Sequence, residues 1–158
     1  MSTILTQETQ AHLDRIIARY DVQDGTLLML LREVETLFQY SLPTEVLDYL
    51  SRRLNIPLAQ LYGVITFYSL FSTKPRGKYI IRICESPPCH LMGSESIIDH
   101  LKSHLNIGVG ETTPDGRFTL ELTSCLGICA VAPAMMINDE MVGNLTPSKI
   151  NEILSKLP

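Results

Sequence analysis

Two hydrophobic periods run along this chain. Up to about residue 73 the apolar positions recur every three or four residues, as amphipathic helices require. In AHLDRIIARY the set is Leu13, Ile16, Ile17 and Tyr20. DGTLLMLLREVETLFQY follows, with Asp24 suited to cap it. Its apolar face is Leu27, Leu30, Leu31, Val34, Leu37 and Phe38, opposite Arg32, Glu33 and Glu35. PTEVLDYLSRRL has Pro43 near its start and Glu45 and Asp48 where the helix dipole favours acids, with a stripe of Val46, Leu47, Leu50 and Leu54. Pro57 opens PLAQLYGVITFYSLF, which begins helical and drifts toward β-branched and aromatic residues. Three or four short helices packed as a bundle are expected.

STKPRGK, residues 72–78, concentrates turn formers and marks a boundary. Beyond it KYIIRIC alternates and is β-rich, which predicts a strand ending at Cys84. SESIIDHLKSHL predicts a helix with Ile97, Ile98, Leu101 and Leu105 inward. TTPDGRFTLELTSC predicts a turn at Pro114–Gly116 and a strand ending at Cys125. AMMIND and EMVGNL predict a hairpin around Asp139 and Glu140. TPSKINEILSKL predicts a last helix capped by Thr146, with Pro147 at its first position and Ile150, Ile153, Leu154 and Leu157 inward. The chain therefore reads as α+β: a helical bundle over residues 1–75, then a β-α-β-β-β-α domain over 76–158.

At 158 residues and 45% hydrophobic content, the chain can bury a core without disulfide staples. Net charge is −4 and the basic residues are dispersed, which argues against nucleic acid as a partner. No apolar run approaches bilayer-spanning length, so no direct membrane insertion is expected. MSTILTQETQAHLD lacks the basic segment and apolar core of a signal peptide. A cytoplasmic location is the expectation, compatible with the cytoplasmic face of a membrane complex.

The four cysteines carry the chemistry. Cys84 and Cys89 form C-x4-C and, after 35 intervening residues, Cys125 and Cys129 form C-x3-C. Each pair follows a predicted strand. Clustered cysteines in a reducing compartment point to metal or redox chemistry rather than structural disulfides. Structural zinc uses C-x2-4-C pairs in small domains that need the metal to fold; these gaps are at or near the loose end of that range, and this β/α domain reads as able to fold on its own. A thioredoxin-type disulfide enzyme wants C-x-x-C at a helix start, and neither pair has that gap. A plant-type cluster needs C-x4-C-x2-C, and a Rieske centre needs two histidines; no histidine follows Cys125. What remains is an all-cysteine [2Fe–2S] site with one pair per iron.

CESPPCHLMGS together with CLGICAVAPAMMINDEMVGNLTP resembles the thioredoxin-like [2Fe–2S] ferredoxin family. The family motif is C-x4-C and, at a distance, C-L-G-x-C-x-x-A-P-x-x-x-[IV]-N, matched here by Cys125, Leu126, Gly127, Cys129, Ala132, Pro133 and Asn138. SLPTEVLDYLSRRL and LYGVITFYSLF resemble the family's helical segment, so the resemblance spans about residues 25–157. It implies a thioredoxin-like second domain and one [2Fe–2S] cluster on Cys84, Cys89, Cys125 and Cys129. It also implies an electron-transfer subunit of a multi-subunit NAD(P)(H)-linked oxidoreductase. That parent would be a complex I-like NADH dehydrogenase or an NAD(P)-linked hydrogenase or formate dehydrogenase, electron-bifurcating ones included. The implied partner is a larger iron–sulfur subunit carrying FMN and the NAD(P) site, with a further iron–sulfur, hydrogenase or dehydrogenase subunit. The chain has no G-x-G-x-x-G fingerprint, so neither a nucleotide site nor a catalytic residue of its own is expected. The alternative is a structural zinc or scaffold module of a larger assembly.

Several residues carry smaller expectations. The loop CESPPC departs from the small residues common in the family. Its prolines should hold Ser86 and Pro87 extended and remove two N–H donors from the sulfurs. Gly127 is expected where no Cβ fits beside the cluster. His90 is read as a polar cap on the next helix, with a donor near the cluster as the other reading. His100 and His104 read as a solvated helix face, and Met135, Met136 and Met141 as core and interface filler. TFYSLF reads as core packing or a partner surface.

Overall fold

The structure, a computed structural model, describes residues 4–20 and 25–157. The chain divides into two compact units, Met1–Arg76 and Gly77–Pro158. The first contains four helices: α1 (Gln7–Ile17), α2 (Leu27–Leu37), α3 (Thr44–Leu54) and α4 (Leu58–Phe67). Their stripes meet in one core built on Leu13, Ile16, Leu30, Leu31, Val46, Leu47, Leu50, Leu61 and Ile65. Thr6 caps α1 by accepting from the Thr9 N–H at 3.2 Å. Asp24, the expected cap of the second helix, lies outside the described residues. Glu35 is wholly buried, paired with Arg32 at 2.8 Å and with Arg76 at 3.1 Å. Arg76 Nη1 also donates to the carbonyls of Leu70 and Tyr40, which pins the end of this unit to its core. Phe71 joins that core, whereas Phe67 is 79% exposed.

The second unit is a four-stranded mixed sheet with two helices on one face. Its elements are β1 (Tyr79–Cys84), α5 (Pro87–Leu91), α6 (Ser94–Leu105), β2 (Phe118–Thr123), a 3₁₀ turn (Cys129–Val131), β3 (Met135–Ile137), β4 (Glu140–Val142) and α7 (Pro147–Lys156). Strand order is β2-β1-β3-β4; β1 and β2 are parallel and the other pairs antiparallel. A parallel pair needs a long crossover, which α6 supplies. Ile81 and Ile83 of β1, with Phe118, Leu120, Met135 and Ile137, face Ile97 and Leu101 of α6 and Ile150 and Leu154 of α7. Thr146 and Pro147 start α7 as expected. Met135 is core, but Met141 is 54% exposed. His100 and His104 stack at 5.9 Å, and His100 Nε2 meets Asn151 Oδ1 at 2.9 Å.

The α+β order is the one expected, with two local differences. β2 ends at Thr123, two residues before Cys125. The CESPPC loop contains the start of a short helix, α5, where an extended segment was expected.

Candidate metal centre

Parallel pairing places both cysteine loops at one end of the sheet. Cys84 is the last residue of β1 and stands in register with Thr123, the last residue of β2. The chain thus leaves both strands side by side, and Cys125 follows two residues later. Cys89 sits in the first turn of α5, and Cys129 opens the 3₁₀ turn. Cys125 Sγ lies 3.6 Å from Cys129 Sγ. The Cys84 and Cys89 thiols interact with each other and are packed with Ala132 and Ala134. Leu126 and Ile128, on the loop of the second pair, close over the first. Cys84 and Cys89 are 1% and 2% exposed, whereas Cys125 and Cys129 are exposed to solvent.

Backbone N–H groups are aimed at the sulfurs. Burial pushes the Cys84 thiol up, but the Ser86 N–H, the Cys89 thiol, the Leu126 N–H and the Ser86 hydroxyl together outweigh it, and its pKa falls. Burial raises the Cys89 thiol, with Cys84 adding to the rise and the Ala134 N–H opposing it. The Cys129 thiol is raised first by its hydrogen bond with Cys125. The Gly127 N–H donates to Cys125 Sγ at 3.4 Å. Donors therefore come from outside the Pro87–Pro88 step. The prolines occupy the first two positions of α5, where the N–H has no partner within the helix and its loss costs little. Ser86 is extended as expected (φ −66°, ψ 155°), but Pro87 is helical. The expectation that the prolines strip the site of donors is corrected accordingly.

One further reading changes. A Cβ on Gly127 would meet no protein atom within 4 Å, and φ of +79° by itself calls for glycine there. His90 does not cap the following helix. It lies within α5, and the residue before α6 is Gly93, at φ +89°.

The residue set fits a binuclear centre: the sulfurs are arranged as two pairs on two loops, and [2Fe–2S] ligation takes two cysteines per iron. When bound, such a cluster supplies one-electron chemistry.

Two residues packed along β1, Asn138 at the end away from Cys84 and Arg82 close to it, were not singled out for their chemistry. Asn138, between β3 and β4, adopts φ +51°. Its side chain accepts from the Ile80 N–H at 2.9 Å and donates to the Lys78 carbonyl at 3.2 Å, which ties the hairpin to β1. The motif match marked the position, and hydrogen bonding explains it. Arg82, on β1, is 4% exposed and its Nε donates to Glu121 Oε2 of β2 at 3.0 Å. A charged residue inside the apolar run YIIRIC was a readable signal; its partner depends on strand register.

Comparison with known proteins agrees with this geometry. The chain is 35% identical over 153 residues to the NADP-reducing hydrogenase subunit HndA of Solidesulfovibrio fructosivorans, covering 97% of this chain and 89% of that one. It is 36% identical over 150 residues to an NADH-quinone oxidoreductase subunit of Aquifex aeolicus, covering 95% and 93%. In structure it matches an NAD⁺-reducing [NiFe]-hydrogenase with a TM-score of 0.70 at 23% identity, over 81% of this chain but only 23% of that much longer one. That last likeness concerns the fold alone. With residues 13–158 matching the family model, the chain belongs to the thioredoxin-like [2Fe–2S] ferredoxin family.

Proposed function

We propose that this chain holds one [2Fe–2S] cluster on Cys84, Cys89, Cys125 and Cys129 and acts as the electron-transfer subunit of an NAD(P)(H)-linked oxidoreductase. The observation that carries the reading is the convergence of the two cysteine pairs at the ends of adjacent parallel strands, with backbone N–H groups turned toward the sulfurs. The hydride chemistry belongs to a larger partner with FMN and an NAD(P) site. The exposed pair, Cys125 and Cys129, faces the medium and is the side through which electrons pass. Residues 76–158 carry the cluster and residues 1–75 serve as the docking half. No helix among the described residues is long and apolar enough to cross a membrane. A place in the cytoplasm, within a complex, suits these features and the two relatives above.

Anaerobic purification of the full chain tests the reading. Brown protein with two irons per chain and a dithionite-induced EPR signal of a [2Fe–2S] centre is the expected result. Serine at any one of the four cysteines should lower iron content or alter the signal. A colourless protein holding one tightly bound zinc would sink the proposal. Co-purification with an FMN-containing subunit tests the partner.

A further inference from the structure

Arg82 occupies β1 one pleat before Cys84. Alternate strand residues face opposite sides, and Ile81 and Ile83 point into the core beneath α6 and α7. Arg82 and Cys84 therefore share the other face, and both are buried. At ~3.3 Å per residue their Cα atoms are roughly 7 Å apart. In register on β2, Glu121 stands opposite Arg82 and Thr123 opposite Cys84. The ion pair thus lies on the row next to the first cysteine ligand, on the same face. Arg82 is the only lysine or arginine within two residues of any of the four cysteines.

We infer that Arg82 and Glu121 are a charge pair that sets the reduction potential of the metal centre, Arg82 raising it and Glu121 lowering it. The inference rests on the proposed [2Fe–2S] reading. Reduction adds one negative charge to a centre that is already anionic, and charge near a cluster is one determinant of its potential. A buried cation on the residue two positions along the strand from a ligand is screened far less than a surface one. The two partners differ in exposure: the Arg82 side chain is 5% exposed and that of Glu121 is 20% exposed. Solvent weakens the acid's field more, so the guanidinium dominates. Glu121 offsets the cost of burying that cation. Arg82 is a positioning residue for charge, not a ligand.

Redox titration of the full chain, followed by EPR, tests the pair. Arg82→Gln leaves Glu121 beside the centre, and the midpoint should fall. Glu121→Gln removes the negative charge that faces Arg82, and the midpoint should rise. The Arg82 change should shift the reduction equilibrium by about tenfold, which for a one-electron couple is ~59 mV, and the Glu121 change by less. Arg82→Lys keeps the charge and should stay near the wild-type midpoint. If Arg82→Gln fails to fold or to hold iron, the part-exposed Glu121→Gln variant decides the matter alone. Unchanged midpoints, or shifts of the same sign, overturn the inference. Failure of the underlying reading looks different: wild-type chain that holds no iron at all.

Discussion

Gly143 offers a direct test of how the end of β4 supports the cysteine loop. A Cβ built there would lie 2.6 Å from the Val131 carbonyl oxygen and 2.6 Å from Val131 Cβ. Ordinary carbon–oxygen contacts are ~3.3 Å or longer and carbon–carbon contacts ~3.5 Å or longer. The overlap is therefore roughly 0.7 Å against a backbone oxygen, which cannot swing aside, and roughly 0.9 Å against Val131 Cβ. The two segments are also tied together. The Asn144 N–H donates to the Val131 carbonyl at 2.5 Å, and the Leu145 N–H to the Pro133 carbonyl at 3.1 Å. Relief of the clash has to move the 3₁₀ turn that begins at Cys129. Overpacking costs ~1–3 kcal/mol. Loss of the Asn144 bond adds ~1 kcal/mol, so Gly143→Ala should destabilise the second unit by roughly 2–4 kcal/mol.

The assay has two readouts. Thermal unfolding of the metal-free chain by circular dichroism should show a drop of roughly 8 °C or more in the transition of the second unit. Loss of visible absorption in mild urea should accelerate, because the displaced turn carries Cys129. Gly63→Ala is the control: Gly63 lies within α4 with nothing within 4 Å of its added Cβ, so that change should stabilise by ~0.5–1 kcal/mol. Val131→Ala added to Gly143→Ala should recover only part of the loss, since the carbonyl overlap persists. Gly143→Ala with wild-type stability and wild-type cluster retention would refute the reasoning.

Three other outcomes follow from the second unit. Asn138→Ala removes the hydrogen bonds to Ile80 of β1 and to the preceding Lys78 and leaves alanine at φ +51°, and should cost about 2–4 kcal/mol by urea denaturation. Asn138→Gly should be milder than that, because it keeps the backbone conformation relaxed. Gly127→Ala should cost ~1–2 kcal/mol through φ alone, with Gly127→Asn recovering part of it in the same assay. Pro88→Ala restores an N–H at the second position of α5, where the other donors already serve the sulfurs, and should leave the cluster midpoint near that of the wild type; a clear rise or fall in the redox titration contradicts this.

Periodicity made most of the fold legible. The stripe of Val46, Leu47 and Leu50 and the alternation of Ile81 and Ile83 each name an element and the face it buries. Helix α5 was hidden because Pro87 and Pro88 read as breakers, although both are compatible with a first helical turn. The reach of β2 was overextended because TLELTSC continues a β-type pattern while the pairing with β1 stops at Thr123. Cysteine spacing exposed the candidate ligands. Their approach to one another depends on the parallel register of β1 and β2, which links residues 39 apart, as Cys84 and Thr123 show. The same register creates the Arg82–Glu121 pair. Non-local pairing of this kind leaves no trace in local periodicity.

The two sulfur pairs differ in surroundings, and that difference connects the ion pair to the proposed role. Cys84 and Cys89 are enclosed by Ala132, Ala134, Leu126 and Ile128, whereas Cys125 and Cys129 face solvent. An added electron is disfavoured on the enclosed side, because burial penalises charge. Water offsets that penalty at the exposed pair, while the enclosed pair depends on oriented N–H groups and any nearby cation. Ser86, Leu126 and Ala134 provide the N–H groups, and Arg82 provides the cation on the strand that delivers Cys84. On this account Arg82 compensates for enclosure, and the Arg82→Gln shift should grow when solvent is further excluded, as when a partner subunit covers Cys125 and Cys129. Measuring the Arg82→Gln shift in the free chain and again in the assembled complex tests that step. A smaller shift in the complex would show that the partner, and not Arg82, sets the potential.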